Sequence, residues 1–257
     1  QPCALSDALK TLADSPEASK LPSPDAPLKA GDIAARLALI GYQQAWLAKP
    51  LDLWPAHPAA AVYPGLPPRD APRGKRVVAV NLDVPRWRST GLYAAAGEAV
   101  TVDLPAGAET LGLKLRIGTT TCDNTRHDEW RRAPKVDVTV PLNASRVRVA
   151  SPFGGLVYVV VPDKVEAAER TVRITLQNVC QAVWFKKGRD TAAAWRASIR
   201  ALPSPWAEIE SDKVILTVPA DTVRALDDPL ALLDFWERIA DQDARLTGLP
   251  AERRSPE

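Results

Sequence analysis

The sequence predicts an α+β protein: a mainly antiparallel β-sandwich-like region flanked by N-terminal and C-terminal helices. Three observations predict it. Short runs alternating apolar and polar residues recur between residues 77 and 179, with turn residues between them. No helical stretch of ten residues separates those runs, which disfavours a parallel βαβ sheet. Longer runs with helical spacing lie only before and after them.

The N-terminal part, residues 1–76, reads as a helical segment followed by a proline-rich linker. Ser6 is placed to cap a brief helix, Asp7 to Ala13, and Pro16, Pro22, Pro24 and Pro27 then forbid regular structure. Residues 33–49 predict a firmer helix. Ile33, Leu37, Ile40, Gln44 and Leu47 share one side, Leu39 and Trp46 widen it, and Arg36 between them is expected to send its charge outward. Pro50 stops that helix, and six more prolines by residue 76 predict an extended linker or a surface crossing.

Residues 77–189 predict the sandwich. The strand segments are 77–84, 99–105, 111–118, 135–141, 145–150, 155–162 and 171–179. The segment 155–162 is apolar almost throughout, which places it at the centre of a sheet. Residues 190–257 predict an α/β extension. Asp190 is placed to cap a helix over 191–202, 213–219 is a strand, and Asp227 or Asp228 caps a helix with Pro229 in its first turn and Gly248 as its stop. Leu232, Phe235, Trp236, Ile239 and Leu246 give that helix its apolar stripe.

Composition narrows the function. The 257 residues are 46% hydrophobic and 25% charged, ordinary for a globular chain, and 33 Lys and Arg against 31 Asp and Glu leave a formal charge of +2. Nothing in that balance calls for nucleic acid, and charges and prolines break every apolar run before it could span a membrane. The chain opens on Gln1 and has no Met; the expectation is a processed N-terminus or the edge of a fragment, with a cloning boundary as the alternative. Three cysteines leave at least one without an internal partner. In an exported protein a Cys122–Cys180 bond is favoured over inert thiols; it would close a loop of about 58 residues and contribute roughly 4 kcal/mol.

The motifs of most hydrolases are absent. A zinc peptidase helix carries HExxH, so that two imidazoles four residues apart face one metal and a Glu activates water. The two histidines here, His57 and His127, are far apart and neither begins that motif. The run His127-Asp128-Glu129 lacks a second His, and a surface loop held by charge pairs is the simpler reading. Cys122 and His127 could meet, as they could in many unrelated proteins. No GxSxG, GxGxxG or GxxxxGK[ST] occurs. Gly154-Gly155 reads first as a tight turn or close backbone approach and second as the wall of a cleft. Eight Trp are many for this length. Trp87 beside Arg88 and Trp130 beside Arg131 form a candidate substrate-binding set, by stacking and hydrogen bonding. The alternative is that the indoles plug the ends of the sandwich under a cover of arginines.

A resemblance rests on motifs in order. Residues 87–97, WRSTGLYAAAG, followed by Val100-Thr101-Val102, resemble the opening of the enhancin-like, mucin-degrading zinc metallopeptidase family, the M60-like peptidases. The likeness continues through Leu115-Arg116-Ile117-Gly118, Trp130-Arg131-Arg132-Ala133-Pro134 and residues 151–158, SPFGGLVY, then through Pro205-Trp206-Ala207-Glu208, residues 214–219 and Asp228-Pro229. TGLYxxxG and SPFGGLxY are specific together. The resemblance covers about residues 77–257 and implies a β-rich front section before a catalytic section bearing HExxH, whose zinc residues have no counterpart here. It implies no cofactor in this chain, zinc in the missing section, and no activity from this chain alone. The implied partners are that catalytic section, in the same protein or as a cleaved second chain, and a mucin-like O-glycoprotein or glycopeptide. The implied location is secreted, periplasmic or on the cell surface, and the Ala- and Pro-rich composition resembles a bacterial exported protein. A stand-alone glycan or glycopeptide-binding module is the rival expectation.

Overall fold

A computed structural model of the chain describes residues 7, 8, 11, 16–47 and 49–251. Asp7, Ala8 and Thr11 are helical, and the proposed cap at Ser6 lies outside the described residues. Helix α1, Ile33–Leu47, rests on a two-stranded ribbon in which β1, Leu28–Lys29, pairs with β6, Glu129–Trp130. Among its described side chains Ala35 and Leu39 are buried, against Leu28 and Trp130, while Ile33 is exposed. Over residues 33–40 the buried side is therefore rotated from the expected one, because Trp130 supplies the surface covered there; Gln44, Trp46 and Leu47 of the expected face lie outside the described side chains. Arg36 does not send its charge to water either. Its guanidinium lies 4.2 Å from the Trp130 ring centroid and donates to the carbonyls of Thr125, His127 and Asp128.

The sandwich comprises β2 (Gly74–Asn81), β3 (Arg86–Ala94), β4 (Val100–Asp103), β5 (Lys114–Ile117), β7 (Val138–Pro141), β8 (Arg146–Val149), β9 (Gly155–Val161) and β10 (Thr171–Gln181). Neighbours run antiparallel in the order β7-β5-β9-β3-β10-β4-β8, with β2 also paired to β10. Strand β10 makes the corner. Residues 171–177 hold β2 and β4, Asn178 at φ 63° shifts the register, and Cys180 and Gln181 then pair with Tyr93 and Leu92 of β3. The sheet thus folds almost into a barrel around Val102, Leu115, Ile117, Val157, Val159, Ile174 and Leu176.

Strand β3 falls on the motif-bearing stretch, where polar residues, Gly91 and small alanines hide the alternation that marks the other strands. Strand β9 is central and buried on both faces, as its composition predicts. The proline-rich crossing packs on the sandwich. Trp54, Ala59 and Ala60 are buried against Phe153 and Val136, and the Leu51 carbonyl accepts from the Ala150 amide.

A second sheet follows. β11 (Val183–Lys186) lies parallel to β12 (Trp206–Glu210), which pairs antiparallel with β13 (Ile215–Pro219). Helices α2 (Ala192–Ala197), α3 (Ala220–Val223) and α4 (Pro229–Thr247) cover one face, burying Val183, Phe185, Trp195, Ala207, Ile209 and Leu233. Thr191, not Asp190, caps α2; Asp190 instead accepts from the Lys186 amide, closing the turn after β11. Asp228, Pro229 and Gly248 bound α4 as expected, with Gly248 left-handed at φ 70°. Its buried face is the unexpected part. Leu230 and Leu233 point inward, whereas Phe235, Trp236, Ile239 and Leu246 are 50%, 38%, 41% and 87% exposed.

Candidate functional site

Alternation along β11 and β12 builds the site. Residues Val183, Phe185, Ala207 and Ile209 face the helices, so Trp184, Lys186, Trp206, Glu208 and Glu210 face the sandwich. Their counterparts come from β3 and β9. Tyr158 donates from its hydroxyl to Glu208 at 2.9 Å, and Trp206 Nε1 donates to the Pro64 carbonyl at 2.7 Å. Trp184 Nε1 and Lys186 Nζ both donate to Glu210, at 2.8 and 2.7 Å. Trp184 lies against Gly91, where a Cβ would stand 2.2 Å from the indole, and Arg189 covers the ring at 3.8 Å.

Glu208 is fully buried, and that burial pushes its carboxyl up to about 7, against the easing effect of Tyr158, Ser89 and Thr217. Tyr158 is held well above the usual phenol range by the same burial and by the neighbouring carboxylate. Beside them Arg116, also buried, pairs with Asp137 at 2.9 Å and lies over Trp87 at 4.0 Å. Trp87 in turn packs on Tyr158 with ring centroids 5.4 Å apart. This layer of two buried glutamates, two arginines, a tyrosine and three indoles binds the sandwich to the second sheet.

The motifs quoted above meet here for structural reasons. TGLY lies in β3 and GLVY in β9, and Tyr93 and Ala94 pair with Leu156 and Gly155. Thr90 Oγ1 donates to the Val157 carbonyl, and Tyr93 donates to the Gly65 carbonyl. Gly154 sits so close to Ala94–Ala96 that a Cβ would come within 2.5 Å of the Ala94 oxygen. The glycine pair is a close backbone approach.

The four candidate binding residues fall into two places. Trp87 and Arg88 belong to the junction, Trp87 half-buried between Arg116 and Tyr158. Trp130 is 1% exposed under α1, and Arg131 points outward and pairs with Glu129 at 2.7 Å. Trp130 thus offers no stacking face to solvent. Tyr158 and Glu208 stand in the motifs that carry the resemblance but have no role assigned there, and Glu210 and Trp184 are not singled out in the sequence; a further signal is two glutamates alternating with apolar residues in residues 206–210.

Cys122 is exposed and Cys180 buried, both as free thiols, so the expected bridge between them is not formed; Cys3 lies outside the described residues. Cys180 instead lies near Arg73 and Glu98, and burial pushes its thiol up. Among the described residues no group of three or more His, Cys, Asp or Glu could hold a metal ion, so these residues do not fit a zinc site. His57 is buried, caps the 3-10 turn Pro58–Ala61 by accepting from the Ala59 amide at 3.0 Å, and packs on Phe153. Burial pulls its pKa down to about 4. A titration followed by NMR should find one imidazole neutral until the pH falls to about 4. Since the unfolded imidazole protonates near 6.5, stability from this site should be lost as pH falls from about 6.5 to 4. A His57 titration near 6.5 in the folded protein would contradict this.

A β-sandwich fused through a polar layer to a small α/β sheet is the class this chain defines. The model of the N-terminal domain of M60-like peptidases matches residues 69–175, and that of peptidase M60, enhancin and enhancin-like, matches residues 178–257. The chain belongs to the M60-like peptidase family. It is 36% identical over 171 residues to a TRPM8 channel-associated factor homolog of Xenopus laevis, covering 66% of this chain and 19% of that protein. It is 34% identical over 171 residues to human TRPM8 channel-associated factor 1, covering 66% and 18%. The chain thus spans about a fifth of the length of the curated relatives it matches. In fold it is similar to the IMPa metallopeptidase of Pseudomonas aeruginosa, with a TM-score of 0.56 at 15% identity over 98% of this chain and 32% of that one. A conserved protein of unknown function from Bacillus anthracis gives 0.54 at 20% identity, covering 68% and 37%. IMPa has also been solved with an O-glycopeptide and with T-antigen.

Proposed function

We propose that this chain is the N-terminal, non-catalytic part of a secreted or surface-attached zinc endopeptidase acting on mucin-like O-glycoproteins. The observation that carries the proposal is the second apolar face of α4. Phe235, Ile239 and Leu246 follow helical spacing on the side away from the core, and with Arg238, Gln242 and Asp243 they line a shallow groove. A helix apolar on both sides needs a second covering surface. Family membership supplies the candidate, since the peptidase M60 match begins at residue 178 and α4 lies within it. The zinc, its HExxH and the hydrolytic step belong to the catalytic section, and this chain orders one wall of it. The O-glycopeptide and T-antigen complexes of the similarly folded IMPa support the substrate class. The rival binding-module reading loses ground because Trp130 is buried and Trp87 is covered by Arg116. Among the described residues no helix is long and apolar enough to cross a membrane.

The test uses the segment of the parent protein that bears HExxH, expressed apart and mixed with this chain. The two should form a complex on gel filtration and together cleave an O-glycosylated mucin peptide. Changing Phe235, Ile239 and Leu246 together to Ser should weaken the complex at least ten-fold without lowering the melting temperature of this chain. Failure of the wild-type pieces to associate, or full cleavage without this chain, sinks the proposal.

A further inference from the structure

One charged group in the polar layer has nothing to bond. Arg88 on β3 is half-buried, and its Nε is shielded from solvent with no hydrogen-bond partner. Among the described residues no side chain or carbonyl accepts a hydrogen bond from this guanidinium. A shielded guanidinium N–H donor is costly to leave unpaired in such a place.

The guanidinium lines a cavity of about 410 Å³ between the edge of the sandwich and the second sheet. Ala79, Asn81 and Val84 form one wall, Ser89 sits next to Arg88, and Trp184, Lys186 and Glu210 form the other wall. The lining carries two cations, Arg88 and Lys186, and two anions, Glu210 and Asp212. Lys186 and Glu210 neutralise each other at 2.7 Å, and Glu210 is further held by Trp184. Asp212 is exposed at the rim, where water screens it. Glu210 and, less strongly, Glu208 act on Arg88 only through space, and the Glu208 oxygen is taken by Tyr158. Among the described residues that line the cavity, Arg88 is the one cation without a bonded counter-ion. Trp184 has both faces covered, by Gly91 and Arg189, so the cavity provides no stacking platform.

We propose that this cavity binds a carboxylate, which Arg88 clamps through the terminal N–H groups of its planar fork. A carboxylate matches two parallel N–H donors of a guanidinium, and such charge-assisted pairs are about twice as strong as neutral ones. The volume admits a single sugar ring or one amino-acid side chain, with Asn81 beside it to meet a hydroxyl or an amide. The inference concerns this chain alone and does not depend on the peptidase reading.

Calorimetry on this chain tests it with three probes: D-glucuronate, an N-acetylated and C-amidated glutamate, and D-glucose as the uncharged control. At least one carboxylate should bind in the millimolar range or tighter, and glucose at least ten-fold more weakly. Heat from glucuronate alone assigns the site to acidic sugars, and heat from the glutamate derivative alone assigns it to acidic peptides. Arg88→Gln should weaken binding at least ten-fold while retaining the melting temperature, and Arg88→Lys should recover part of the loss. Should Arg88→Gln fail to fold, Ala79→Phe on the exposed edge strand blocks the cavity with Arg88 intact and should abolish binding. The proposal is overturned if neither carboxylate gives heat, if glucose binds as well, or if Ala79→Phe leaves affinity unchanged.

Discussion

Gly154→Ala should destabilise the protein by on the order of 4 kcal/mol, enough to unfold a large share of the chain at physiological temperature. Two costs add. Gly154 is left-handed at φ 69°, which an alanine adopts at a cost of about 1 kcal/mol. The larger cost is contact. An added Cβ would stand 2.5 Å from the Ala94 oxygen, 2.8 Å from the Ala96 nitrogen and 3.1 Å from the Ala95 carbonyl carbon. All three are backbone atoms of the chain leaving β3, so no side chain can rotate away. Relief would require β3 and β9 to part, and that pairing holds Tyr93 and Tyr158 in the junction. Gly107→Ala is the control, because Gly107 is also left-handed, at φ 86°, but has open space where a Cβ would go. Guanidinium unfolding followed by tryptophan fluorescence should show Gly107→Ala losing about 1 kcal/mol and Gly154→Ala several times that. Equal losses would mean that the close approach is not what this glycine serves.

That contrast bears on what could be read from the residues alone. A nearly unbroken apolar run found β9, and alternation found β2, β4, β5, β7, β8 and β10 because each has one face on the core. It passed over β3, whose run Arg86 to Ala94 holds two arginines, a serine, a threonine and a glycine. Those residues are polar or small because β3 faces another sheet through polar contacts, a tertiary fact with no local signature. The same cause hid the junction. Glu208 and Glu210 look like an exposed strand face until the sandwich is set against them. On α4 the apolar stripe was legible, but its partner was not. Leu232, Phe235, Trp236, Ile239 and Leu246 have the right spacing, yet Leu233 and Ala244 are the residues that pack inward. A helix with two apolar faces has no unique inward side until its neighbours are known. The cysteines show the limit of counting, since alternation put Cys180 inside β10 and left Cys122 exposed in a loop.

Glu208→Gln should make the protein more stable than the natural chain at pH 8 by up to about 3 kcal/mol, and no more stable at pH 4. In the unfolded chain this carboxyl ionises near 4.5, and in the folded protein burial pushes it up to about 7. Between those values the folded state holds a proton that the unfolded state has released. Stability from this site is therefore full below about 4.5, falls as pH rises toward about 7, and stays low above it. Glutamine keeps the oxygen that accepts from Tyr158 and has no charge to desolvate. Its amide hydrogens can donate to the hydroxyls of Ser89 and Thr217, the groups that ease the natural carboxylate. Unfolding curves at pH 4 to 8 for both chains isolate this one group, since every other titration is common to them. The difference should open between pH 4.5 and 7 and then level off; a constant difference, or one that opens below pH 4.5, would place the ionisation elsewhere. Glu208 lies on β12 and its partner Tyr158 on β9, so the pH dependence is that of the contact between the second sheet and the sandwich. Raising the pH through neutrality weakens the joint between the two matched family segments while leaving the apolar core of each intact.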